Sequence, residues 1–291
     1  MKQRTINKPV EIVGIGLHKG VPVKLRLEPL SEDSGIVFYR ADKGVSIELS
    51  PENVVDTKMA TVLGKDGVVV STIEHLMSAV YSFGIDNLRI VLNNDEVPIM
   101  DGSAISFVMM IKEAGIEILS KNKKFLKITK EVEIRDGDKF ALLKPSDKIS
   151  FDFEINFDHP IIGNQKCHFD FSTKNYIEEI SKARTFGFLK EVQYLRSIGL
   201  ALGGSLENAI VLDDKGILND SLRFPDEFVR HKILDAIGDM SLLGYNFIGS
   251  YKAFASGHHL NHLLTLKVFE ENAYELVEFE SKEVELAKAF G

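Results

Sequence analysis

The stretch Val229-Arg-His-Lys-Ile-Leu-Asp-Ala-Ile-Gly-Asp-Met240 is the part of the sequence around which the rest of the chain is organised. Its apolar residues recur at helical spacing, which predicts a packed helix with a stripe of Ile233, Leu234 and Ile237. His231 and Asp235 are four residues apart, so both side chains lie on one helix face about one turn apart. Because the apolar stripe is packed, we expect the polar face to border a cleft, where both side chains reach one small cation.

A second predicted helix, Ser71-Thr-Ile-Glu-His-Leu-Met-Ser-Ala-Val80, carries a carboxylate beside an imidazole. A catalytic zinc ion typically has three ligands from His, Asp or Glu, an open position, and a nearby carboxylate that is not a ligand. Four residues of the two helices match these needs: His75, His231, Asp235 and Glu74. Each of these residues also has an explanation that involves no metal. Glu74 suits the positive end of a helix, and a His and an Asp one turn apart occur on many helices by chance.

Composition restricts the class of protein. The 291 residues are enough for one large domain or two of roughly 120–150 residues. Apolar content of 44% with 27% charged residues is typical of a globular protein, and a net charge of −8 argues against a nucleic-acid partner. The single cysteine, Cys167, excludes an intrachain disulfide and suits a reducing compartment. Neither a secretory signal nor an apolar run of ~20 residues is present, so we expect a cytoplasmic monomer and leave open a transient contact with a membrane surface.

Alternation of apolar and polar residues predicts antiparallel strands through residues 3–50, a hairpin over 61–72 and a strand over 87–92. A helix should follow, with Ser103 as its N-cap and Gly115 as its stop. In the second half the patterns predict strands over 147–157, 165–171 and 247–254, and helices over 174–184, after Pro225 and from Ser256.

The two halves of the chain resemble one another. Residues 5–12 and 127–134 share five amino acids in register, 122 residues apart, on either side of a polar run at 120–124 that we interpret as a linker. Strands of similar composition match by chance, but both halves also place a histidine on a later helix. We therefore predict an α+β fold of two tandem similar domains, 1–119 and 125–280, each layering helices against β-sheet. The active site is expected at the domain interface, where ligand pockets are common.

Apolar residues between Phe186 and Leu202 recur at 188, 189, 192, 195 and 198, which predicts a helical stripe followed by flexible glycines. Core packing and an apolar channel beside the site both remain open for this stripe.

Four further polar residues are candidates for chemistry, each with a plain alternative. Lys232 also fits a solvated charge, Asp239 a structural hydrogen-bond acceptor, and Thr185 an ordinary turn hydroxyl. His258 stands between a glycine and a predicted helix start, where a side chain can be presented to a ligand. His18 is interpreted as a turn histidine.

Six blocks of sequence, in this order, closely resemble the zinc-dependent UDP-3-O-acyl-N-acetylglucosamine deacetylases, which catalyse the committed step of lipid A synthesis in Gram-negative bacteria. The blocks are Gly14-Ile-Gly-Leu-His18, Ser71-Thr-Ile-Glu-His75, Pro98-Ile-Met-Asp-Gly-Ser-Ala104, Ala183-Arg-Thr-Phe-Gly-Phe188, Phe228-Val-Arg-His-Lys-Ile-Leu-Asp-Ala-Ile-Gly-Asp239 and Ser256-Gly-His258. The similarity extends from about residue 3 to about residue 270.

The resemblance implies roles residue by residue. His75, His231 and Asp235 match the Zn²⁺ ligands, and Glu74 matches the general base. The remaining catalytic matches are His258 as the cationic partner, Asp239 as the carboxylate that orients it, Thr185 as an oxyanion donor, and Lys232 as a substrate-binding cation.

The resemblance also implies a UDP-sugar substrate with a fatty acyl chain, from which the enzyme releases acetate. The resemblance favours the interpretation of the apolar stripe as a channel for the acyl chain. The candidate substrate contacts are Phe186, Leu195, Ile198, Leu202 and Phe157. Close relatives can carry a lysine where this chain has Ala255, so Lys252 or another cation must then hold the nucleotide phosphates. The rival hypotheses are a different zinc hydrolase, such as a peptidase, and a non-enzymatic lipid- or nucleotide-binding module.

Overall fold

A computed structural model of the chain describes residues 1–279, 289 and 290. Residue 280, the predicted end of the second domain, lies outside the described residues. Within the described part, helices and mixed β-sheets form an α+β architecture, as the sequence predicts. No helix in this part combines the length and the apolar character needed to cross a membrane.

The elements of the first half are, in chain order, β1 (Lys2–Ile6), β2 (Val10–Ile15), β3 (Pro22–Pro29), β4 (Ile36–Arg40), β5 (Val45–Glu48), a 3₁₀ turn (Pro51–Asn53), β6 (Val54–Asp56), β7 (Val62–Lys65), β8 (Val68–Val70), α1 (Glu74–Ser82), β9 (Leu88–Leu92), α2 (Ile105–Ala114) and β10 (Ile116–Asn122).

The elements of the second half are β11 (Lys124–Ile128), β12 (Val132–Asp136), β13 (Lys139–Lys144), β14 (Ile149–Asn156), β15 (Asn164–Asp170), α3 (Thr173–Asn175), a π-helical turn (Tyr176–Ile180), β16 (Phe186–Phe188), α4 (Leu189–Ser197), β17 (Ile210–Leu212), α5 (Glu227–Met240), a 3₁₀ turn (Ser241–Leu243), β18 (Asn246–Phe254), α6 (His258–Glu270) and β19 (Tyr274–Glu278).

The two halves have the same topology. The first sheet has the order β2-β3-β9-β4-β5, in which only the β9–β4 pair is parallel. The second sheet repeats this as β12-β13-β18-β14-β15, with β18–β14 parallel and the other pairs antiparallel. The β1–β10 pair of the first half likewise corresponds to the β11–β19 pair of the second. This equivalence confirms the tandem pair of similar α+β units, whereas the limits at 119 and 125 stay a prediction.

The polar run 120–124 is not a linker, contrary to the prediction from its composition. Residues up to Asn122 belong to β10, which pairs with β1, and Lys124 opens β11. Lys123 between them is fully buried and donates from Nζ to the Gly84 carbonyl at 3.0 Å and to Asp86. Burial lowers the pKa of Lys123, and the Asp86 carboxylate opposes that shift. Lys123 therefore anchors the connection between the two halves, because a partly buried carboxylate and a backbone carbonyl accept from its ammonium group.

Other predicted boundaries differ from the structure. The predicted helix 174–184 ends at Ile180, because the chain beyond it extends to pair Arg184 with α5. The predicted helical stripe shortens to α4, since Phe186–Phe188 pair in parallel with β17. Ser103 precedes the N-cap position of α2, although its hydroxyl still accepts the N–H of Ile105 at 3.3 Å.

Helices α1 and α5 cross in close contact. The apolar stripe of α5 is fully buried, as predicted for Ile233, Leu234 and Ile237. At the crossing, a Cβ on Gly238 would lie 2.1 Å from the Glu74 carbonyl oxygen, far inside van der Waals contact. A glycine is therefore required for the backbones to approach closely enough to bring the polar residues of the two helices together.

Candidate metal centre and active site

Three ligand atoms converge where α1 meets α5. The Nε2 atoms of His75 and His231 lie 3.5 Å and 3.3 Å from Oδ1 of Asp235, and the three groups offer ligand atoms within 4.8 Å of one another. All three residues are buried. Asp235 Oδ1 is itself buried and accepts no hydrogen bond from the described residues. An unpartnered carboxylate oxygen facing two imidazole nitrogens fits a divalent cation, and this donor set suits zinc.

The hydrogen-bond partners of His231 and Asp235 leave one possible metal-ligating atom of each residue free. His231 donates from Nδ1 to the Ala183 carbonyl at 3.0 Å, which leaves the lone pair of Nε2 free to bind a metal ion. Burial, reinforced by His75 and Lys232 and opposed by Asp235, lowers the pKa of His231 to about 4, so the ring is neutral. Lys232 Nζ bonds Asp235 Oδ2 at 3.0 Å and leaves Oδ1 available. Burial acts to raise the pKa of Asp235, but the interactions of its carboxylate with His231 and with the Lys232 ammonium outweigh burial and hold that pKa well below its usual value.

A buried ion pair places the segment that carries Ala183 and Thr185. Arg184 Nε and its backbone N–H both donate to Glu227 Oε1, at 2.9 Å and 3.0 Å, and Nη2 donates to Oε2 at 3.2 Å. Glu227 opens α5 and is fully buried, so the segment is tied to the helix that carries His231. Sequence reasoning missed this pair, because nothing local links an arginine and a glutamate so far apart in the chain.

Two carboxylates flank His258 at the first turn of α6. His258 Nδ1 donates to Asp239 Oδ2 at 2.9 Å, and its Nε2 lies 3.7 Å from Glu74 Oε1. The other oxygen of Glu74 accepts the backbone N–H of Thr61 at 3.1 Å. The ring of His258 is therefore held from one side by Asp239 while its second nitrogen faces Glu74.

This arrangement separates the proton affinities of the two groups. Burial raises the pKa of Glu74, although the His258 cation opposes the shift. Burial acts to lower the pKa of His258, but the carboxylates of Asp239 and Glu74 outweigh it and raise that pKa to about 10. The imidazole is consequently cationic at neutral pH, and a carboxylate with raised proton affinity stands beside it, as an acid–base pair requires.

A cavity of about 430 Å³ opens over these groups. Its wall includes every residue that sequence analysis named as a ligand or acid–base group except the buried Asp239: Glu74, His75, Thr185, His231, Lys232, Asp235 and His258. The same cavity is also lined by Ala255 and by three exposed basic residues, Lys58, Lys139 and His259. The predicted residues are thus brought to one cleft, with basic side chains around its outer part.

A second cavity of about 460 Å³ shares Thr185, Phe186 and His18 with the first. Its lining is mostly apolar and includes Leu189, Val192, Leu195, Leu206, Ala209 and Val211.

The other predicted substrate contacts do not line either cavity. Ile198 and Leu202 are more than half exposed. Phe157 packs edge-on against Phe186, with ring centroids 5.9 Å apart, and so supports the wall from behind. Lys252 lies on β18 opposite Asp152.

His18 does more than occupy a turn. Both of its ring nitrogens are buried without a hydrogen-bond partner in the described part of the chain, and its ring lines both cavities. Its backbone N–H donates to Glu96 at 2.9 Å, which anchors the turn. The glycines on either side of His18 marked the turn in the sequence, but only the fold shows what the ring faces.

Comparison with known proteins identifies the family. The family model described as UDP-3-O-acyl N-acetylglycosamine deacetylase matches residues 3–270. A UDP-3-O-acyl-N-acetylglucosamine deacetylase of Nautilia profundicola is 81% identical over the whole length of both chains. Proteins of the same name are 70% identical in Nitratiruptor sp., over 96% of this chain and 94% of the relative, and 59% identical in Campylobacter jejuni, over 96% of each. With its buried His-His-Asp cluster and full-length relatives, this chain belongs to the UDP-3-O-acyl N-acetylglycosamine deacetylase family.

Proposed function

We propose that this protein hydrolyses the acetamide of UDP-3-O-acyl-N-acetylglucosamine to acetate and a free amine, the committed step of lipid A biosynthesis. The observation that carries the proposal is the convergence of His75, His231 and Asp235 in a cavity that also presents Glu74 and His258, in a chain of this family.

We assign Zn²⁺ to the three-residue cluster. Two neutral imidazoles and one carboxylate leave a bound divalent ion with net positive charge. When bound, zinc polarises the amide carbonyl and allows water to act as a nucleophile near neutral pH. His75, His231 and Asp235 hold the ion in this proposal, and Lys232 steadies Asp235 through its outer oxygen.

Glu74 is the proposed general base. Its raised pKa moves the carboxylate toward the range in which it can accept a proton from the attacking water and later release it. The Thr61 N–H holds one carboxylate oxygen, so the other is free to act toward the cavity.

His258 supplies positive charge on the same side of the substrate. Its Nε2–H is available because Nδ1 is occupied by Asp239. The cation stabilises the oxyanion and passes a proton to the leaving amine, and the Thr185 hydroxyl on the cavity wall donates to the oxyanion. Each such donor is typically worth a few kcal/mol in the transition state.

The apolar cavity suits the fatty acyl chain. It adjoins the catalytic cavity through Thr185 and Phe186, so a chain on the sugar can extend along Leu195 while the acetamide meets Glu74. Ile198 and Leu202 would contact the chain only at an exposed rim. For the nucleotide phosphates, Lys58 and Lys139 are better placed than Lys252, since they line the catalytic cavity and Lys252 does not.

The site is complete within one chain, because both halves of the same polypeptide supply its ligands and its acid–base groups. We therefore propose a monomeric enzyme, and we further propose that it acts in the cytoplasm.

Purified protein should contain one zinc per chain and release acetate from the 3-O-acylated UDP-sugar but hardly from UDP-N-acetylglucosamine. A chelator should abolish release, and added zinc should restore it. Peptide cleavage without regard to an acyl chain would support another zinc hydrolase instead. Absence of metal together with chelator-insensitive ligand binding would support a non-enzymatic module.

A further inference from the structure

Thr61, immediately before β7, touches both carboxylates that flank His258. Its backbone N–H donates to Glu74 Oε2 at 3.1 Å, and its hydroxyl donates to Asp239 Oδ1 at 2.6 Å. The residue is buried, so neither bond competes with bulk water. One residue therefore connects the proposed base on α1 with the partner of His258 on α5.

The side-chain amide of Asn261, which contacts Asp239, can adopt only one orientation. Asn261 donates from Nδ2 to Asp239 Oδ2 at 2.8 Å, while its Oδ1 accepts the hydroxyls of Tyr251 at 2.6 Å and Ser256 at 2.9 Å. The reverse orientation of the amide would turn its oxygen toward the carboxylate and take the acceptor away from the Tyr251 hydroxyl, and it would leave the Ser256 hydroxyl only the Gly257 carbonyl at 3.5 Å. Asn261 is thus a fixed donor.

Asp239 consequently accepts three hydrogen bonds, from Thr61, Asn261 and His258. Three donors around a buried carboxylate hold its plane in place. Since the Thr61 hydroxyl is the single described side-chain donor on Oδ1, its loss leaves that buried oxygen without its partner.

We propose that Thr61 is a positioning residue that holds the Glu74 and Asp239 carboxylates on opposite sides of the His258 ring, so that Nδ1–H meets Asp239 and Nε2 stays beside Glu74 at the cavity wall. This inference rests on the proposed function, which assigns the two carboxylates and the ring their roles. It predicts that the hydroxyl of Thr61 matters for turnover, although it does not touch the substrate.

The test compares Thr61→Val, which removes the hydroxyl at nearly constant shape, with Thr61→Ser, which keeps it. In the zinc-loaded enzyme, Thr61→Val should lower kcat about tenfold at unchanged KM and zinc content, and it should shift the alkaline limb of the kcat profile, because the His258 cation then faces a carboxylate that has lost one donor. Thr61→Ser should recover most of the turnover and return the alkaline limb of the kcat profile to its wild-type position. Thr265→Val is the matched control, because it removes another buried threonine hydroxyl, bonded to the His262 carbonyl.

Wild-type kcat and an unmoved alkaline limb in Thr61→Val would overturn the inference, as would equal losses in the valine, serine and Thr265 variants. If Thr61→Val does not fold, Thr61→Ala is measured by the same criteria. Titration of the His258 ring by NMR, assigned with His258→Gln, separates this inference from the proposed function. A wild-type protein that releases no acetate refutes the function, while an unchanged His258 titration in Thr61→Val refutes the inference alone.

Discussion

Gly238 on α5 lies directly against the carbonyl oxygen of Glu74 on α1, where a Cβ would come within 2.1 Å of that oxygen. This contact sets the distance between the helix that carries His75 and the helix that carries His231 and Asp235. The arrangement of His75, His231 and Asp235 therefore depends on a residue that has no side chain.

Gly238→Ala should force the two helices apart. We expect a loss of about 1–3 kcal/mol in the free energy of unfolding from overpacking, together with weaker zinc binding, measured by denaturant titration and by competition with a chelator. Gly216→Ala is the matched control, because a Cβ there meets nothing within 4 Å. Unchanged zinc affinity in Gly238→Ala would show that the helix separation does not control the cluster.

His231→Ala should abolish stoichiometric zinc binding, because two ligands on a buried site cannot hold the ion tightly. Atomic absorption on the purified variant measures this, with circular dichroism to confirm folding. His168→Ala is the control, since His168 is an exposed histidine paired with Asp152. A full zinc complement in the His231 variant would remove that residue from the ligand set.

Glu74→Gln should lower kcat by roughly a hundredfold or more while zinc remains bound, in line with the magnitude of general acid–base catalysis. The glutamine oxygen can still accept the Thr61 N–H, so the variant mainly removes the proton acceptor. Acetate release and metal content measured on one preparation provide the check. Turnover near the wild-type level would reject the role of Glu74.

Asp239→Asn should make catalysis more sensitive to alkaline pH. The groups facing His258 are Glu74 from α1, and Asp239 and Asp235 from α5, and the pKa of about 10 depends on these carboxylates. The raised pKa keeps the His258 ring protonated up to alkaline pH. Because the Asp239 carboxylate is one cause of that shift, removal of its negative charge should lower the pKa of His258. The alkaline limb of kcat should then move down by one pH unit or more. An unmoved limb would mean that His258 is not the group that titrates there.

Leu195→Trp should narrow the apolar cavity. We expect kcat/KM for the acylated substrate to fall by about tenfold to a hundredfold and most for long chains, whereas zinc content stays constant. Tyr194→Trp, one residue earlier and largely exposed, is the control. Equal activity of the Leu195 variant toward short and long acyl chains would place the chain elsewhere.

Much of the architecture could be predicted from local pattern. The alternation of β3 and β14, the apolar stripe of α5 and the positive-φ glycine that stops α2 are all visible over short stretches. The weak match between residues 5–12 and 127–134 corresponds to strands β1–β2 and β11–β12, which occupy equivalent positions in the two halves. Boundaries failed where tertiary partners overrode local preference, as at the buried Lys123 and at Arg184.

The amino-acid sequence by itself determined the residue types and their local spacing: His231 and Asp235 one turn apart, Glu74 beside His75, and a histidine after Gly257 at a helix start. These follow from helix periodicity, which acts over a few residues. Only the tertiary structure decided that Thr61, Asn261 and the Glu227–Arg184 pair support the site, because those contacts join residues far apart in the chain. Hydrogen bonds between distant segments depend on how the sheets and helices pack, and no local pattern records that packing.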